Sequence, residues 1–172
     1  SKPFETQIAS GQTLKMQIID SKAVVLANNN VKGDLHIPEF VSYRLRKFPV
    51  TRIEARAFFH NSDITRLTLP ENLEHLGAWA FSSCPALSDT LVLPKNLKEI
   101  GNDAFCGTNI SCLVIKSEKL EPIDSTLENN FFFNCANLQT IVCEQSVKNL
   151  TFSLLRASHD IKEVVFPESL NE

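Results

Sequence analysis

The chain has 172 residues, of which 43% are hydrophobic, and a formal net charge of −3 from 17 basic and 20 acidic residues. This length predicts a single structural domain with a substantial core, since domains commonly hold about 100–200 residues. The charge balance gives no electrostatic footprint for nucleic-acid binding, which would favour a basic stripe, and no apolar run reaches the roughly 18 residues of a transmembrane helix.

The first 34 residues predict a β-hairpin. Apolar and polar residues alternate across 14–18, as in a strand with one buried face. Residues 20–22 are turn formers, and the apolar run 23–27 predicts the returning strand. We expect residues 1–34 to cap the repeats that follow, because the first coil of a solenoid otherwise exposes its core. The alternative is a disordered leader over about the first ten residues.

From residue 35 onward the sequence repeats. Ala-Phe pairs at Ala57-Phe58, Ala80-Phe81 and Ala104-Phe105 lie about 23 residues apart, within the range of leucine-rich repeats. The fullest copy, LEHLGAWAFSSCPALSDTLVLP, runs from Leu73 to Pro94. Copies of roughly 22–27 residues predict a leucine-rich-repeat solenoid of about five coils over residues 35–172.

The L-x-L segment of each copy predicts a strand. Alternate side chains of such a segment point inward, and stacked coils place the segments side by side in a parallel sheet. The segments are Leu67/Leu69, Leu91/Leu93, Leu113/Ile115, Ile141/Cys143 and Val164/Phe166. The repeated phenylalanines Phe58, Phe81, Phe105 and Phe132 are expected to form a continuous buried column. We therefore predict an α/β, β-rich fold, with a short helical or 3₁₀ turn at each Ala-Phe pair.

Two positions with small residues recur beside the phenylalanines. The position three residues after the Phe, or its substitute, is expected to be buried and hydrogen-bonded. Its occupants are Asn61, Cys84, Thr108, Cys135 and Ser158. Cys84 and Cys135 are accordingly predicted to be structural thiols. Gly77 and Gly101 fit a turn with positive φ, where glycine is preferred but not required, because Glu54 occupies the matching place one copy earlier.

The repeat frame is interrupted in several places. Residues 40–49 predict an irregular, basic connection, and one extra residue stands near Asp89. The polar stretch Asp124 to Asn130 is predicted to be a surface insertion, and the last copy has Leu155 in place of its Phe. The chain ends at 170–172 without a clear polar cap. We therefore expect the last coil either to pair with another chain or to continue into a longer protein.

With these positions assigned, the sequence resembles the BspA-like, or Treponema pallidum-type, leucine-rich-repeat family. The family signature is close to L-x-x-I-x-x-x-A-F-x-x-C-x-x-L-x-x-I-x-x-P, and it matches best at Leu73 to Pro94 within a resemblance that covers roughly residues 35–170. The resemblance implies a curved right-handed solenoid. It further implies a bacterial protein that is secreted or on the cell surface, where it acts in adhesion and protein binding.

No motif in the chain predicts catalysis. The four histidines lack metal-site spacing, and there is no nucleophile elbow, phosphate-binding loop or dinucleotide fingerprint. Five cysteines at irregular spacings do not form the even framework of a disulfide-rich secreted domain. Cys106 and Cys112 are either a disulfide or two free thiols, since their separation cannot be judged from sequence. We expect no enzyme activity, no cofactor and no metal site.

The outward face of the predicted strands is the candidate partner-binding surface. Valine is the middle residue of the L-x-L segment in four consecutive copies, which predicts an apolar stripe with a polar rim, as interaction surfaces have. The alternative is that β-branched residues simply favour strands. The candidate residues are Arg66, Thr68, Thr90, Val92, Val114, Lys116, Thr140, Val142, Glu144, Glu163 and Val165.

These patterns favour a non-catalytic protein-binding or adhesion module, extracellular or at the cell surface. Its expected partner is a protein, on a host or on a neighbouring cell, and not a nucleic acid. The alternative is a structural or assembly unit that self-associates through its C-terminal coil. The chain begins at Ser1 without an apolar signal core, so any targeting segment is expected to lie outside it.

Overall fold

A computed structural model describes residues 1–120, 131, 132, 134–144 and 160–166. In these ranges the chain forms strands joined by turns, with no helix. The strands are β1 (Phe4–Gln7), β2 (Thr13–Ile19), β3 (Lys22–Val25), β4 (Gly33–His36), β5 (Phe40–Tyr43), β6 (Arg46–Ile53), β7 (Ile64–Thr68), β8 (His75–Leu76), β9 (Ser88–Leu93), β10 (Glu99–Ile100), β11 (Asn109–Ile115), β12 (Thr140–Cys143) and β13 (Glu163–Val165). The prediction of a β-rich solenoid of about five coils is confirmed, although the described Ala-Phe pairs lie in turns and not in helical or 3₁₀ segments.

The N-terminal hairpin forms as predicted. Strands β2 and β3 pair antiparallel, with Ile19 opposite Lys22. The two turn residues between them, Asp20 and Ser21, have φ angles of 48° and 59°, which suits the two-residue turns preferred in hairpins. Strand β1 pairs antiparallel with β2, so residues 4–7 extend the hairpin and are not a disordered leader.

The hairpin continues directly into one side of the solenoid. Strand β3 pairs in parallel with β6, β6 with β8, and β8 with β10. The buried hairpin residues Leu14 and Met16 belong to the same apolar cluster as the residues of the coils. Because the hairpin covers the first coil and shares its core, it has the properties expected of a cap.

The L-x-L segments form the other side of the solenoid. Strands β9, β11, β12 and β13 pair in parallel, with Leu113 opposite both Leu91 and Ile141. Strands β4 and β7 form a separate parallel pair, and β7 lies beside β9 without pairing to it. Asp89, at the extra residue predicted from the sequence, has a φ angle of 71°. The interruption of the repeat therefore coincides with the division of this sheet.

Residues 40–49 form a regular hairpin, so the prediction of an irregular connection here is wrong. Strands β5 and β6 pair antiparallel, with Tyr43 opposite Arg46. Arg44 and Leu45 make the turn at φ angles of 48° and 63°. These residue types carry no sequence signal for a two-residue turn, which Asn-Gly and Asp-Gly pairs supply, and the hairpin is therefore hidden in the sequence.

The predicted column of phenylalanines is present. The ring centroids of Phe58 and Phe81 are 4.9 Å apart, those of Phe81 and Phe105 are 5.6 Å apart, and those of Phe105 and Phe132 are 5.4 Å apart. Each pair of rings is parallel to within 11°. All four side chains are buried. Because the spacing follows the stacking of the coils, the column joins the cores of successive coils into one.

The Ala-Phe turns are joined by a hydrogen-bonded ladder of their own. The N–H of Phe58 donates to the carbonyl of Ala80 at 2.8 Å, and the N–H of Phe81 donates to that of Ala104 at 2.8 Å. The N–H of Phe59, the next residue after Phe58, donates to the carbonyl of Arg56 in its own coil at 3.2 Å. Along each turn, N–H groups therefore alternate between closing the turn and binding the following coil. The turns therefore form a third run of backbone hydrogen bonds between successive coils, beside the two sheets.

The glycines of the repeat serve a different purpose from the one predicted. Gly77 and Gly101 do not have positive φ angles. A Cβ atom at Gly77 would lie 2.3 Å from the backbone nitrogen of Ala55, and one at Gly101 would lie 2.2 Å from that of Ala78. The prediction that these glycines serve a turn with positive φ is wrong. Glycine is required at both positions because the preceding coil leaves no space for a Cβ atom.

Among the described residues, positive φ angles occur instead at two other places in the turns. The left-handed residues stand two positions before and two positions after the phenylalanine. They are Arg56, His60, Trp79, Ser83, Asp103, Gly107 and Asn134. An L-residue in this region costs roughly 1–2 kcal/mol, and the ladder of turn hydrogen bonds offsets that cost. Only one of these residues is glycine, so the sequence does not reveal the pattern.

Three of the small residues after the phenylalanines, Asn61, Cys84 and Cys135, donate to a carbonyl of the preceding coil, whereas the Thr108 hydroxyl donates within its own coil, to Phe105 at 2.9 Å. The Cys84 thiol donates to the carbonyl of Phe58 at 3.2 Å, and the Asn61 amide donates to the carbonyl of Val31 at 2.8 Å. Cys84 and Cys135 are buried, in agreement with the prediction of structural thiols. Cys106 and Cys112 are separate thiols and do not form a disulfide with each other.

Burial of the Cys84 thiol is expected to lower the stability of the fold at alkaline pH. Burial raises the pKa of the thiol to about 11, whereas a thiol in the unfolded chain ionises near pH 8.5. The folded state therefore holds its proton more tightly, and the resulting stabilisation is complete below about pH 8.5 and lost as pH rises towards 11. We expect urea unfolding to show a loss of about 3 kcal/mol over this range, and a smaller loss in Cys84→Ala. Equal losses in both proteins would contradict this account.

Three predicted features lie outside the described residues. They are the insertion at Asp124 to Asn130, the substitution of Leu155 for phenylalanine, and the open C-terminal end at 170–172. Ser158 of the small-residue position lies outside them too.

Candidate functional site

The outward side chains of the strands form a continuous row of valines. Val114 lies directly opposite Val92 on one side and Val142 on the other, and Val142 lies opposite Val165. The residues on either side of each valine in the L-x-L segments of β9, β11 and β12 are buried. Val92, Val114 and Val142 are half-buried, and Val165 is 40% exposed. We call these four residues the valine row.

A polar row runs parallel to the valine row. Thr140 lies opposite both Cys112 and Glu163, and Cys112 lies opposite Thr90. Thr90 and Glu163 are exposed, whereas Cys112 and Thr140 are half-buried. Cys112 was not among the predicted site residues, although its place two residues before Val114 puts it on the same face of the strand.

A mixed-charge groove borders the valine row on its other side. Lys116 and Glu144, which follow β11 and β12, form an ion pair with 3.7 Å between Nζ and Oε2. The Lys119 ammonium donates to the Asn96 side chain at 3.0 Å, and the Asn96 amide donates to the carbonyl of Glu71 at 2.8 Å. The residues lining the groove, which has a volume of about 370 Å³, are Glu71, Lys95, Asn96, Lys116, Glu118, Lys119 and Glu144.

The groove was only partly predicted from the sequence. Lys116 and Glu144 were identified there, and the other lining residues were missed. The sequence pattern that could have revealed them is the recurrence of charged and amide residues after the strands, as in PEN at 70–72 and PKN at 94–96. Exposed ion pairs of this kind contribute little to stability, about 0–1 kcal/mol, so the fold does not depend on the charges of the groove.

Arg66 and Thr68 are set apart from the other predicted residues. Both lie on β7, where Arg66 pairs with Asp34 and Thr68 with His36 of β4. The Arg66 guanidinium reaches across to the Asp89 carboxylate at 2.8 Å. The predicted surface therefore consists of a continuous part on β9, β11, β12 and β13 and a second part on β7, with one ion pair between β7 and β9.

The described residues contain no group of three His, Cys, Asp or Glu side chains arranged to hold a metal ion. His75 binds Glu99 at 2.7 Å, and His36 lies 3.3 Å from Asp34. Within the same parts of the chain, no helix is long and apolar enough to cross a membrane.

Three solved structures share this fold at low sequence identity. A leucine-rich cell surface protein from Faecalibacterium prausnitzii A2-165 has a TM-score of 0.58 and 19% identity, over 98% of this chain and 44% of that one. The leucine-rich repeat protein of T. pallidum has a TM-score of 0.56 and 16% identity, over 90% and 80% of the two chains. A leucine-rich repeat protein from Bacteroides capillosus ATCC 29799 has a TM-score of 0.52 and 18% identity, over 94% and 97%. No curated protein matches the chain.

The family pattern matches most of the chain. Six copies of the BspA type leucine-rich repeat region are found over residues 51–172. Proteins built from such repeats are generally non-enzymatic and typically mediate protein interactions. The repeated pattern, the stacked coils and the phenylalanine column together show that this chain belongs to the BspA-type leucine-rich-repeat family.

Proposed function

We propose that the chain is a non-catalytic protein-binding module that acts at the bacterial cell surface or outside the cell. The observation that carries the proposal is the valine row, four apolar side chains in direct register on the outward face of a sheet. At the spacing of paired strands the row is roughly 14 Å long. The membership of a repeat family with surface proteins among its structural neighbours supports the location.

The surroundings of the row match the general anatomy of a protein interface. Interfaces commonly have an apolar centre within a polar rim. Here the row lies between the threonine-containing polar row and a groove that carries both positive and negative charges. The preference of valine for strands explains why valine occurs in these segments. Strand preference does not explain why the groove beside the row carries charges of both signs. Such a pattern of charges favours binding of one partner over others.

Two opposite charges placed on the row are expected to abolish binding while preserving the fold. The variant Val114→Lys/Val142→Glu removes the apolar centre, and its two new side chains face each other across paired strands, where opposite charges are favourable. We expect capture of extracellular host or bacterial proteins by the immobilised chain to fall at least about tenfold, as for the loss of a central interface residue. The free energy of unfolding should change by less than about 1 kcal/mol.

Ile19→Ser is the matched control, because Ile19 is 44% exposed on the N-terminal hairpin and lies outside the strand face. This variant should capture the same proteins as the native chain. Unchanged capture by the folded Val114→Lys/Val142→Glu variant would contradict the assignment of binding to the valine row. Self-association through the C-terminal coil stays a prediction, and sedimentation of the chain over a range of concentrations tests it.

A further inference from the structure

The hairpin of β5 and β6 presents an unusual tip. Leu45 is fully exposed at the apex of the turn, and Phe40, at the start of β5, is 43% exposed. The opposite face of the hairpin is packed down, since Val41 is buried and Tyr43 stacks on Phe4 at 4.4 Å between ring centroids. The hairpin is therefore anchored on one face, while its tip and other face are open.

The residues at the tip are poorly suited to the turn itself. Both Arg44 and Leu45 have positive φ angles, which favour Asn and Gly in such turns. The N-terminal hairpin of the same chain makes a comparable turn with Asp20 and Ser21. Leu45 therefore has a strained backbone and a fully exposed aliphatic side chain, and neither contributes to the stability of the folded chain. Strained residues of this kind cluster at binding sites.

The tip is also a concentration of positive charge. Arg44, Arg46 and Lys47 are exposed, and none lies within ion-pair distance of a carboxylate among the described residues. Arg44 instead lies over the Tyr43 ring at 5.3 Å and Lys47 over the Phe40 ring at 4.4 Å. These three cations stand out in a chain whose net charge is −3.

We propose that this tip, residues 44–47, docks on the surface of an anionic lipid bilayer. Leu45 enters the boundary between headgroups and acyl chains, and the three cations bind lipid phosphates at the level of the headgroups. A fluid surface deforms around a convex apex, whereas a protein partner would have to supply a matching acidic pocket. The guanidinium groups of Arg44 and Arg46 suit phosphate because they donate two parallel hydrogen bonds. The tip shares no residue with the valine row, so this proposal does not depend on protein binding.

The test is co-sedimentation of the full chain with vesicles at lipid concentrations up to millimolar. One set of vesicles contains equal parts of phosphatidylglycerol and phosphatidylcholine, and the other contains phosphatidylcholine alone. We expect binding to the anionic vesicles only. Each cation near an anionic surface contributes about fivefold to binding, so Arg46→Gln/Lys47→Gln should lower the partition coefficient by about 25-fold.

Arg44→Asn/Leu45→Gly is the sharper variant, because it installs the pair of residues that the turn prefers. Its midpoint of thermal unfolding should be equal to or higher than that of the native chain, while its binding to anionic vesicles falls by about 100-fold. Loss of binding with a gain in stability cannot be attributed to unfolding. Ile19→Ser, at the edge of the other hairpin turn, should bind as the native chain does.

Three results would overturn the proposal. They are the absence of binding to anionic vesicles, equal binding to both sets of vesicles, and undiminished binding by Leu45→Gly. Competition by soluble polyglutamate that removes binding whether or not Leu45 is present would assign the tip to an acidic protein surface instead.

Discussion

Replacement of Gly77 by alanine is expected to unfold the chain at temperatures at which the native protein is stable. The new Cβ atom would lie 2.3 Å from the Ala55 backbone nitrogen and 2.6 Å from its Cα. Backbone atoms of a neighbouring coil cannot rotate away as a side chain does, so the coils must separate. We expect a loss of at least about 3 kcal/mol, which corresponds to a decrease of roughly 6–12 °C in the melting temperature of a domain of this size.

The control for this variant is Glu54→Ala. Glu54 occupies the matching position one coil earlier and already carries a Cβ atom. Its N–H donates to the carbonyl of Val25 in the cap hairpin at 2.9 Å. Its replacement should change the stability by less than about 1 kcal/mol. Calorimetry of both variants measures the difference. A Gly77→Ala variant as stable as Glu54→Ala would show that the coils are not packed as closely as the structure shows.

Truncation of Phe81 to alanine is the second change with a large expected effect. Phe81 is completely buried and stacks on Phe58 on one side and Phe105 on the other. Its removal leaves a cavity within the column, and we expect a loss of about 3–5 kcal/mol in the free energy of unfolding. The loss should be measured by urea denaturation. Because the column is shared by successive coils, the transition is also expected to broaden, as neighbouring coils lose their coupling.

Phe59→Ala is the matched control, since Phe59 is the next residue in the chain but is 37% exposed. It contacts His60 and Arg56 on the surface of the turn. Its truncation should cost about 1 kcal/mol or less. Similar losses for the two variants would mean that the column is not the principal core of the solenoid.

The repeat made the inward-facing residues predictable. A buried position recurs in each copy, so one clear copy identifies Phe58, Phe105 and Phe132 as equivalents of Phe81. The same frame placed the valines at the middle of each strand, and the strand register brings them into one row. These features depend on apolar periodicity, which the sequence records directly.

Other features depend on backbone geometry that the residue types conceal. Arg56 and Trp79 adopt positive φ angles although neither is a residue that favours them. The hairpin turn at Arg44 and Leu45 was missed for the same reason. The steric requirement at Gly77 arises from the distance between two coils, which no local pattern within one coil contains. The candidate site was incomplete because its groove is formed by residues from several coils.

The ladder of the Ala-Phe turns gives the solenoid a direction. The N–H of Phe58 faces the following coil, and the carbonyl of Ala80 faces the preceding one. Each peptide group carries a dipole of about 3.5 D, so the aligned groups give each coil one face of donors and one of acceptors. Two such faces can join only donor to acceptor, because a two-fold symmetric contact would place like faces together. In the first turn the Asn28 N–H of the cap already donates to the Ala57 carbonyl at 2.7 Å. The cap therefore keeps a second copy from extending the ladder at this turn unless the cap is displaced.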